Sequence, residues 1–411
     1  MSVLLAVVIM LKSLVFINDY FFCSFLFYKQ YILLGEFMKK IILFLLVLLP
    51  INVFAIADHA KSSILIESST GTIILENNSN EKASIASMTK MMTMLIVMEY
   101  LDNGKISLSD SVPISEKAAS MGGSQVYLAA NTKMPLEVLL KSVSIASAND
   151  SAVALAEYIA GSTEKFVELM NKKSDELGLT NTHFMNVHGL DEENHYSTAY
   201  DMAMIARELV KHESILEYSS KYEDYVAHPD GTNTWIVNTN KLINYYPGLD
   251  GLKTGFTNTA GYCITATAKR GNMRLISVVM GEENNQIRNQ DTMELLNYGF
   301  SNYKMETILK KDDVVGSIGI KFGSKKRVDL VLKSDCQDLV SILEENNYSY
   351  EIIKNKIKAP VKKGDVVGKI NLYSDSTKIN EFDLTVKEDV RKSNFFELFI
   401  DNLVSLTKGY Y

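Results

Sequence analysis

The chain has 411 residues, enough for two or three domains that each bury a core. With 47% hydrophobic and 22% charged residues, its composition excludes a disordered or low-complexity chain. The net charge of -7, with no basic stripe, argues against a nucleic-acid partner.

Met38-Lys39-Lys40, the unbroken apolar run Ile41–Leu49 and the small residues of Ala55-Ile56-Ala57 form the three parts of an export signal. Residues 38–57 are therefore predicted to be a signal peptide cut after Ala57. The preceding residues 1–37 are apolar and aromatic but broken by Lys12, Asp19, Lys29 and Glu36. They read as an extension from a mis-assigned start codon, because Gly35-Glu36 fits a purine-rich ribosome-binding stretch just before Met38. A transmembrane anchor made of residues 1–50 is the alternative.

Ser63–Glu67 and Thr72–Glu76 form a predicted β-hairpin around Ser-Ser-Thr-Gly. Helical periods follow over the Met-rich Ala86–Leu101, then Leu136–Ala160, Thr163–Leu177 and Ser197–Lys211. Tyr262–Arg270 and Arg274–Met280 read as strands joined at Gly271-Asn272, and Gln286–Tyr303 as a helix. Strands at both ends with helices between them predict one α+β domain over residues 58–303, its terminal strands sharing a sheet. From residue 304 the short runs Val314–Ile320, Arg327–Leu332, Ile352–Ile357 and Val366–Leu372 predict a small all-β sandwich domain reaching residue 392.

Residues 393–411 are expected to be an amphipathic helix. Phe395, Phe396, Phe399, Ile400, Leu403, Val404 and Leu406 face one way, and Glu397, Asp401 and Ser405 the other. The stretch is too short to span a bilayer and is expected to lie in a membrane surface. Docking on the β domain or on a second copy is the alternative. Cys23, Cys263 and Cys336 form no C-x-x-C pair, so Cys263 and Cys336 read as free thiols in different domains.

Three short motifs carry the chemistry. In Ser87-Met88-Thr89-Lys90 the i, i+3 spacing sets a hydroxyl and an amine on one helix face. The helix N-terminus favours developing negative charge there, and a lysine among Met and Leu side chains loses solvation and becomes available as a neutral base. Alone, the pattern equally fits an N-cap with a surface lysine. Ser147-Ala148-Asn149, in a loop between helical stretches, and Lys253-Thr254-Gly255, just before the Tyr262 strand, change that judgement. In this order they are the signatures of active-site serine penicillin-recognising enzymes.

The segment Ala86-Ser87-Met88-Thr89-Lys90-Met91-Met92-Thr93 resembles the nucleophile region of low-molecular-mass penicillin-binding proteins, the serine D-alanyl-D-alanine carboxypeptidases. So do Asn186–Asp191, His195–Ala199 and Gly248–Thr257, while Ala359–Asp365 resembles that family's β domain. The resemblance runs from about residue 58 to the C-terminus. It implies a β-lactamase/transpeptidase-like catalytic domain, a β-sandwich and a terminal membrane-associating helix. It implies removal of the terminal D-alanine from peptidoglycan stem peptides ending in D-Ala-D-Ala, β-lactams as covalent inhibitors, no cofactor or metal, and a place on the outer face of the cytoplasmic membrane or in the cell wall. Matching motif positions gives the roles. Ser87 attacks, Lys90 takes its proton, Ser147 relays a proton to the leaving D-alanine, and Asn149 orients Lys90 and the substrate amide. Lys253 and Thr254 hold the terminal carboxylate, Gly255 leaves room for substrate backbone, and the amides of Ser87 and Phe256 form the oxyanion hole.

His183, His188 and His195 fit no zinc spacing and read as loop histidines. Asp191, Glu192 and Glu193 read as a solvated loop, and Trp235, Tyr245 and Tyr246 as core. A β-lactamase with the same motifs would need a Glu-x-x-x-Asn base loop, which Glu164–Asn171 does not supply. A non-catalytic wall-binding protein is disfavoured by the intact motifs. An endopeptidase cutting D-alanine cross-links would use the same chemistry.

Overall fold

The computed structural model describes residues 56–57, 59–343 and 346–407. The extension expected at 1–37, and all but the last two residues of the signal peptide expected at 38–57, lie outside the described residues. Ala57 is fully buried, in one apolar cluster with Leu65, Leu249 and Leu295.

Strands β1 (Ser62–Glu67) and β2 (Ile73–Asn77) form the predicted hairpin. Later come β7 (Leu249–Thr257), β8 (Gly261–Arg270) and β9 (Met273–Glu282), and the sheet order is β2-β1-β9-β8-β7. β1 pairs antiparallel with β9, Ser62 opposite Met280, so the two ends of this domain do share a sheet. Both faces of β1 are buried, and its alternate side chains enter different cores. Ile64 and Ile66 join Ile276 and Val278 on one side; Leu65 joins Leu275 and Val279 on the other. Three layers result: α8 (Asn285–Asn302) covers the second face, while the remaining helices of this domain build up the first.

On that first face lies α1 (Lys90–Asp102), whose residues from Lys90 to Met98 are all buried. A helix apolar on every side belongs in an interior. The predicted Ala86–Leu101 helix in fact starts as a 3-10 turn over Ala86–Thr89. Around α1 stand α2 (Glu116–Ala119), α3 (Leu136–Ala146), α4 (Asn149–Ala160), α5 (Thr163–Glu176), α6 (Ala199–Leu209) and α7 (Ile215–Ser219). The predicted Leu136–Ala160 helix breaks at Ser147, which is left-handed with φ 62°, and restarts at Asn149. Two small hairpins, β3/β4 (Ser111–Pro113 and Lys133–Pro135) and β5/β6 (Glu223–Ala227 and Asn233–Val237), lie outside the main sheet.

The β domain follows α8 directly. A six-stranded sheet in the order β14-β16-β17-β12-β11-β15 comprises β11 (Val314–Lys321), β12 (Arg327–Leu332), β14 (Tyr348–Lys354), β15 (Ile357–Lys358), β16 (Gly368–Ser374) and β17 (Thr377–Val386). The pair β10 (Tyr303–Leu309) and β13 (Cys336–Ser341) forms a second layer, and Cys336 shares a core with Leu330, Ile370 and Leu384. Cys263 and Cys336 are free and buried, one in each domain.

Helix α9 (Phe395–Thr407) starts at a reciprocal cap: the Asn394 amide donates to Glu397 Oε2 and the Glu397 amide to Asn394 Oδ1. Phe395 and Phe396 are 76% and 74% exposed, and Phe399, Ile400, Leu403 and Val404 are exposed as well. No helix among the described residues is long and apolar enough to cross a membrane.

Candidate active site

Ser87 sits in the 3-10 turn that feeds α1, half-buried between fully buried neighbours. Ala86 is left-handed, with φ 46°. The turn is braced from two sides by glycines. A Cβ on Gly189, itself at φ 86°, would lie 1.9 Å from the Ala86 carbonyl oxygen. A Cβ on Gly255 of β7 would lie 2.9 Å from the Ile85 oxygen and 3.2 Å from the Ser87 nitrogen. Gly255 therefore lets the strand lie on the Ser87 turn itself, a close approach separate from the expected room for substrate backbone.

Lys90 is fully buried, and its Nζ donates to Ser87 Oγ at 3.0 Å and to the His188 carbonyl at 2.6 Å. Burial, and after it the charge of Lys253, hold this amine well below the usual lysine range, with Asp150 acting the other way. The second hold on Lys90 comes from a backbone carbonyl and not from Asn149. Asn149 Nδ2 donates instead to the Gly122 carbonyl at 2.7 Å. Ser147 Oγ and Asn149 Oδ1 are buried without a hydrogen-bond partner among the described residues. Unpartnered buried oxygens are costly in a resting protein, which leaves both atoms open to a further donor.

Lys253 lies inside β7, 1% exposed, with Nζ donating to the Thr254 carbonyl at 2.9 Å. Burial and then Arg288 bring it down to about 7. Thr254 Oγ1 donates to Thr239 Oγ1 at 2.8 Å. Arg288 of α8 is itself buried and pushed down to about 10 by that burial. The Phe256 ring is 51% exposed and packs on Tyr262 at 4.3 Å between centroids.

Ser87 and Lys90 thus meet directly, Lys253 acts electrostatically on Lys90, and Gly255 touches the turn. Two contributors lie in segments that carried the resemblance but were given no role there. His195 is buried; its Nδ1 accepts the Met185 amide at 2.9 Å, so Nε2 carries the proton toward Thr89 Oγ1, 2.7 Å away. Thr89 Oγ1 in turn donates to the Ala86 carbonyl at 2.8 Å, so this histidine fixes the nucleophile turn. Asp191 is exposed but not merely solvated, since it accepts from Ser84 Oγ at 2.9 Å and Thr257 Oγ1 at 2.8 Å. Trp235 and Tyr245, expected in the core, are 58% and 76% exposed; only Tyr246 is buried. Among the described residues no group of three or more His, Cys, Asp or Glu is placed to hold a metal ion.

Comparison with known proteins agrees with this geometry. The profile of the family described as D-alanyl-D-alanine carboxypeptidase matches residues 52–284. That of the penicillin-binding protein 5 C-terminal domain matches residues 303–392. The chain is 45% identical over 355 residues to the D-alanyl-D-alanine carboxypeptidase DacF of Bacillus subtilis, covering 86% of this chain and 91% of that protein. The crystal structure of penicillin binding protein 5 from Haemophilus influenzae superposes with a TM-score of 0.67 at 33% identity, over 82% of this chain and 98% of that one. The ampicillin-bound form of penicillin-binding protein D2 from Listeria monocytogenes gives a TM-score of 0.53 at 30% identity, over 60% of this chain and 99% of that one. The chain belongs to the D-alanyl-D-alanine carboxypeptidase family and carries behind its catalytic fold the C-terminal domain of penicillin-binding protein 5.

Proposed function

We propose that this serine-type carboxypeptidase removes the terminal D-alanine of peptidoglycan stem pentapeptides through an acyl-enzyme on Ser87, and that penicillins acylate the same oxygen. One observation carries the reading: a fully buried lysine, held below its usual range, donates to the Ser87 hydroxyl at 3.0 Å. In its neutral form that amine is a base within reach of the proton it must take.

Ser87 Oγ attacks the carbonyl between the two D-alanines while Lys90 Nζ accepts the proton. The resulting oxyanion sits between the amides of Ser87 and Phe256, which the close approach of Gly255 to the Ser87 nitrogen supports. Each such donor lowers the barrier by about 3–4 kcal/mol. The C–N bond breaks as the proton passes from Lys90, through the Ser147 hydroxyl, to the leaving amine. Water, deprotonated by Lys90, then attacks the ester, and Ser87 Oγ leaves with that proton. Asn149 Oδ1 is available to the substrate amide. Lys253 and Thr254 take the terminal carboxylate, which draws a proton onto the lysine on binding.

The signal peptide at 38–57 would place the protein outside the cytoplasmic membrane, with catalytic residues 58–303, a sandwich at 304–392 and the helix at 393–411. The exposed phenylalanines of α9 support that helix lying in the membrane surface. The β-lactamase reading gains no base from Glu164, whose side chain is 71% exposed and pairs with Lys117 at 2.8 Å. Incubating the purified protein with a stem pentapeptide tests the proposal. Free D-alanine with a tetrapeptide product is expected; an unchanged pentapeptide contradicts it, and rapid turnover of penicillin would favour the β-lactamase.

A further inference from the structure

Asp150 follows the second motif, and no step above uses it. Its side chain is fully buried in the first turn of α4. Oδ2 accepts the amides of Val126 at 3.0 Å and Leu128 at 3.2 Å; Oδ1 accepts the Ser151 amide at 2.7 Å and the Ser151 hydroxyl at 3.4 Å. A carboxylate removed from water needs such donors, and here two of them belong to another segment.

That segment, residues 121–129, forms neither helix nor strand. Among the described residues, the hydrogen bonds that tie residues 122–128 to the rest of the fold all end on Asn149 and Asp150. The Asn149 amide donates to the Ser124 carbonyl at 2.7 Å, and Asn149 Nδ2 to the Gly122 carbonyl. A Cβ on Gly123 would lie 2.8 Å from Asn149 Nδ2 and 4.0 Å from Leu190, next in the chain but one to the carbonyl that holds Lys90. Val126 and Leu128 point into the core, which throws Tyr127 outward, 69% exposed at φ 61°. The segment is thus a wall of the site, and Asp150 is what fastens its far end.

The same carboxylate has an electrostatic place. The charged groups facing Lys90 are Lys253 from β7 and Asp150 from α4, with the His188 imidazole on the loop beyond. Of these, Asp150 alone favours the charged form of Lys90.

We propose that Asp150 is a positioning residue for acylation: it pins residues 122–128 against the site and supplies the negative charge that balances the buried base. The inference rests on the reading of Ser87 and Lys90 given above. Removing the charge lets Lys90 lose its proton more readily, so the sign is fixed in advance.

The test is the pH dependence of the second-order rate at which a fluorescent penicillin labels the full chain, for the unmodified protein, Asp150→Asn and Asp150→Ser. Both substitutions remove the charge, and the serine keeps a hydroxyl acceptor in a smaller side chain should the amide fold poorly. The expected result is an acid limb moved to lower pH, with a plateau lowered about ten- to a hundredfold as the wall loosens. A role confined to folding would lower the plateau and leave the limb in place, which overturns the proposal. In the unmodified protein the Val126 and Leu128 amides should exchange slowly with deuterium; exchange at the rate of open loop amides overturns it as well. Failure of the unmodified protein to label at Ser87 would instead remove the underlying mechanism, so the two failures are distinct.

Discussion

Lys90 has no exposed surface and two hydrogen-bond acceptors, one of them the oxygen it is to activate. Replacing it with Met keeps the volume and removes the base. Penicillin labelling should then slow by about 10²–10⁴-fold. The melting temperature should hold or rise, because a buried amine costs stability that an apolar chain does not. Labelling kinetics and a thermal melt check the two halves separately. Lys253 makes a different claim. It must be charged to hold a carboxylate, and in the free protein it loses its proton near pH 7. The value of kcat/KM for a pentapeptide should therefore fall as pH rises through about 7. Lys253→Arg, charged throughout, should remove that alkaline limb; a limb that survives assigns it to another group. The three motif residues Ser87, Lys90 and Lys253 were singled out in the sequence because the role proposed for each belongs to its own side chain. The His188 contribution was not, since a backbone carbonyl carries no residue signature, and the bracing by His195 depends on a pairing 106 positions apart.

Strand β7 shows how an element can be invisible until its neighbour is in place. Leu249–Thr257 holds two glycines, a lysine and no alternating pattern, and it becomes a strand by pairing with β8, Lys253 opposite Thr265. The hairpin of β8 and β9 was legible because Gly271-Asn272 states its turn locally. The break between α3 and α4 was legible too, since Ser147-Ala148-Asn149 is where the sequence placed a loop; that Ser147 is left-handed was not. Contact between elements also gives a sharp test at Gly189. With φ 86° and 1.9 Å between a Cβ and the Ala86 oxygen, Gly189→Ala must displace the nucleophile turn. A loss of roughly 2–5 kcal/mol is expected from backbone strain and overpacking together. Chemical denaturation measures it; a loss below about 1 kcal/mol would mean that the turn and the 186–191 loop are not in contact.

Over the whole molecule, buried titratable groups set how stability depends on pH. Burial pushes His188 and His195 down to about 4, so the folded chain refuses protons that the unfolded chain accepts. Stability from this source is lost as pH falls from about 6.5 toward 4. Glu282 works the other way. Burial, and then Asp291 beside it, push it up to about 8, so its contribution is lost as pH rises from about 4.5 through 8. Above neutrality Lys90 and Lys253, held below the usual lysine range, oppose Glu282, so its share shows as a difference between two proteins: relative to the unmodified chain, Glu282→Gln should lose less melting temperature as pH rises from about 4.5 to 8, and paired melts across this range decide. All of this serves one arrangement, a hydroxyl on a braced turn beside a desolvated amine. The most direct test is to react the protein with penicillin, digest it, and locate the adduct by mass spectrometry. The account predicts the penicilloyl mass on the peptide containing Ser87 and no covalent product with Ser87→Ala. An adduct on any other residue, or labelling that persists in Ser87→Ala, would contradict it.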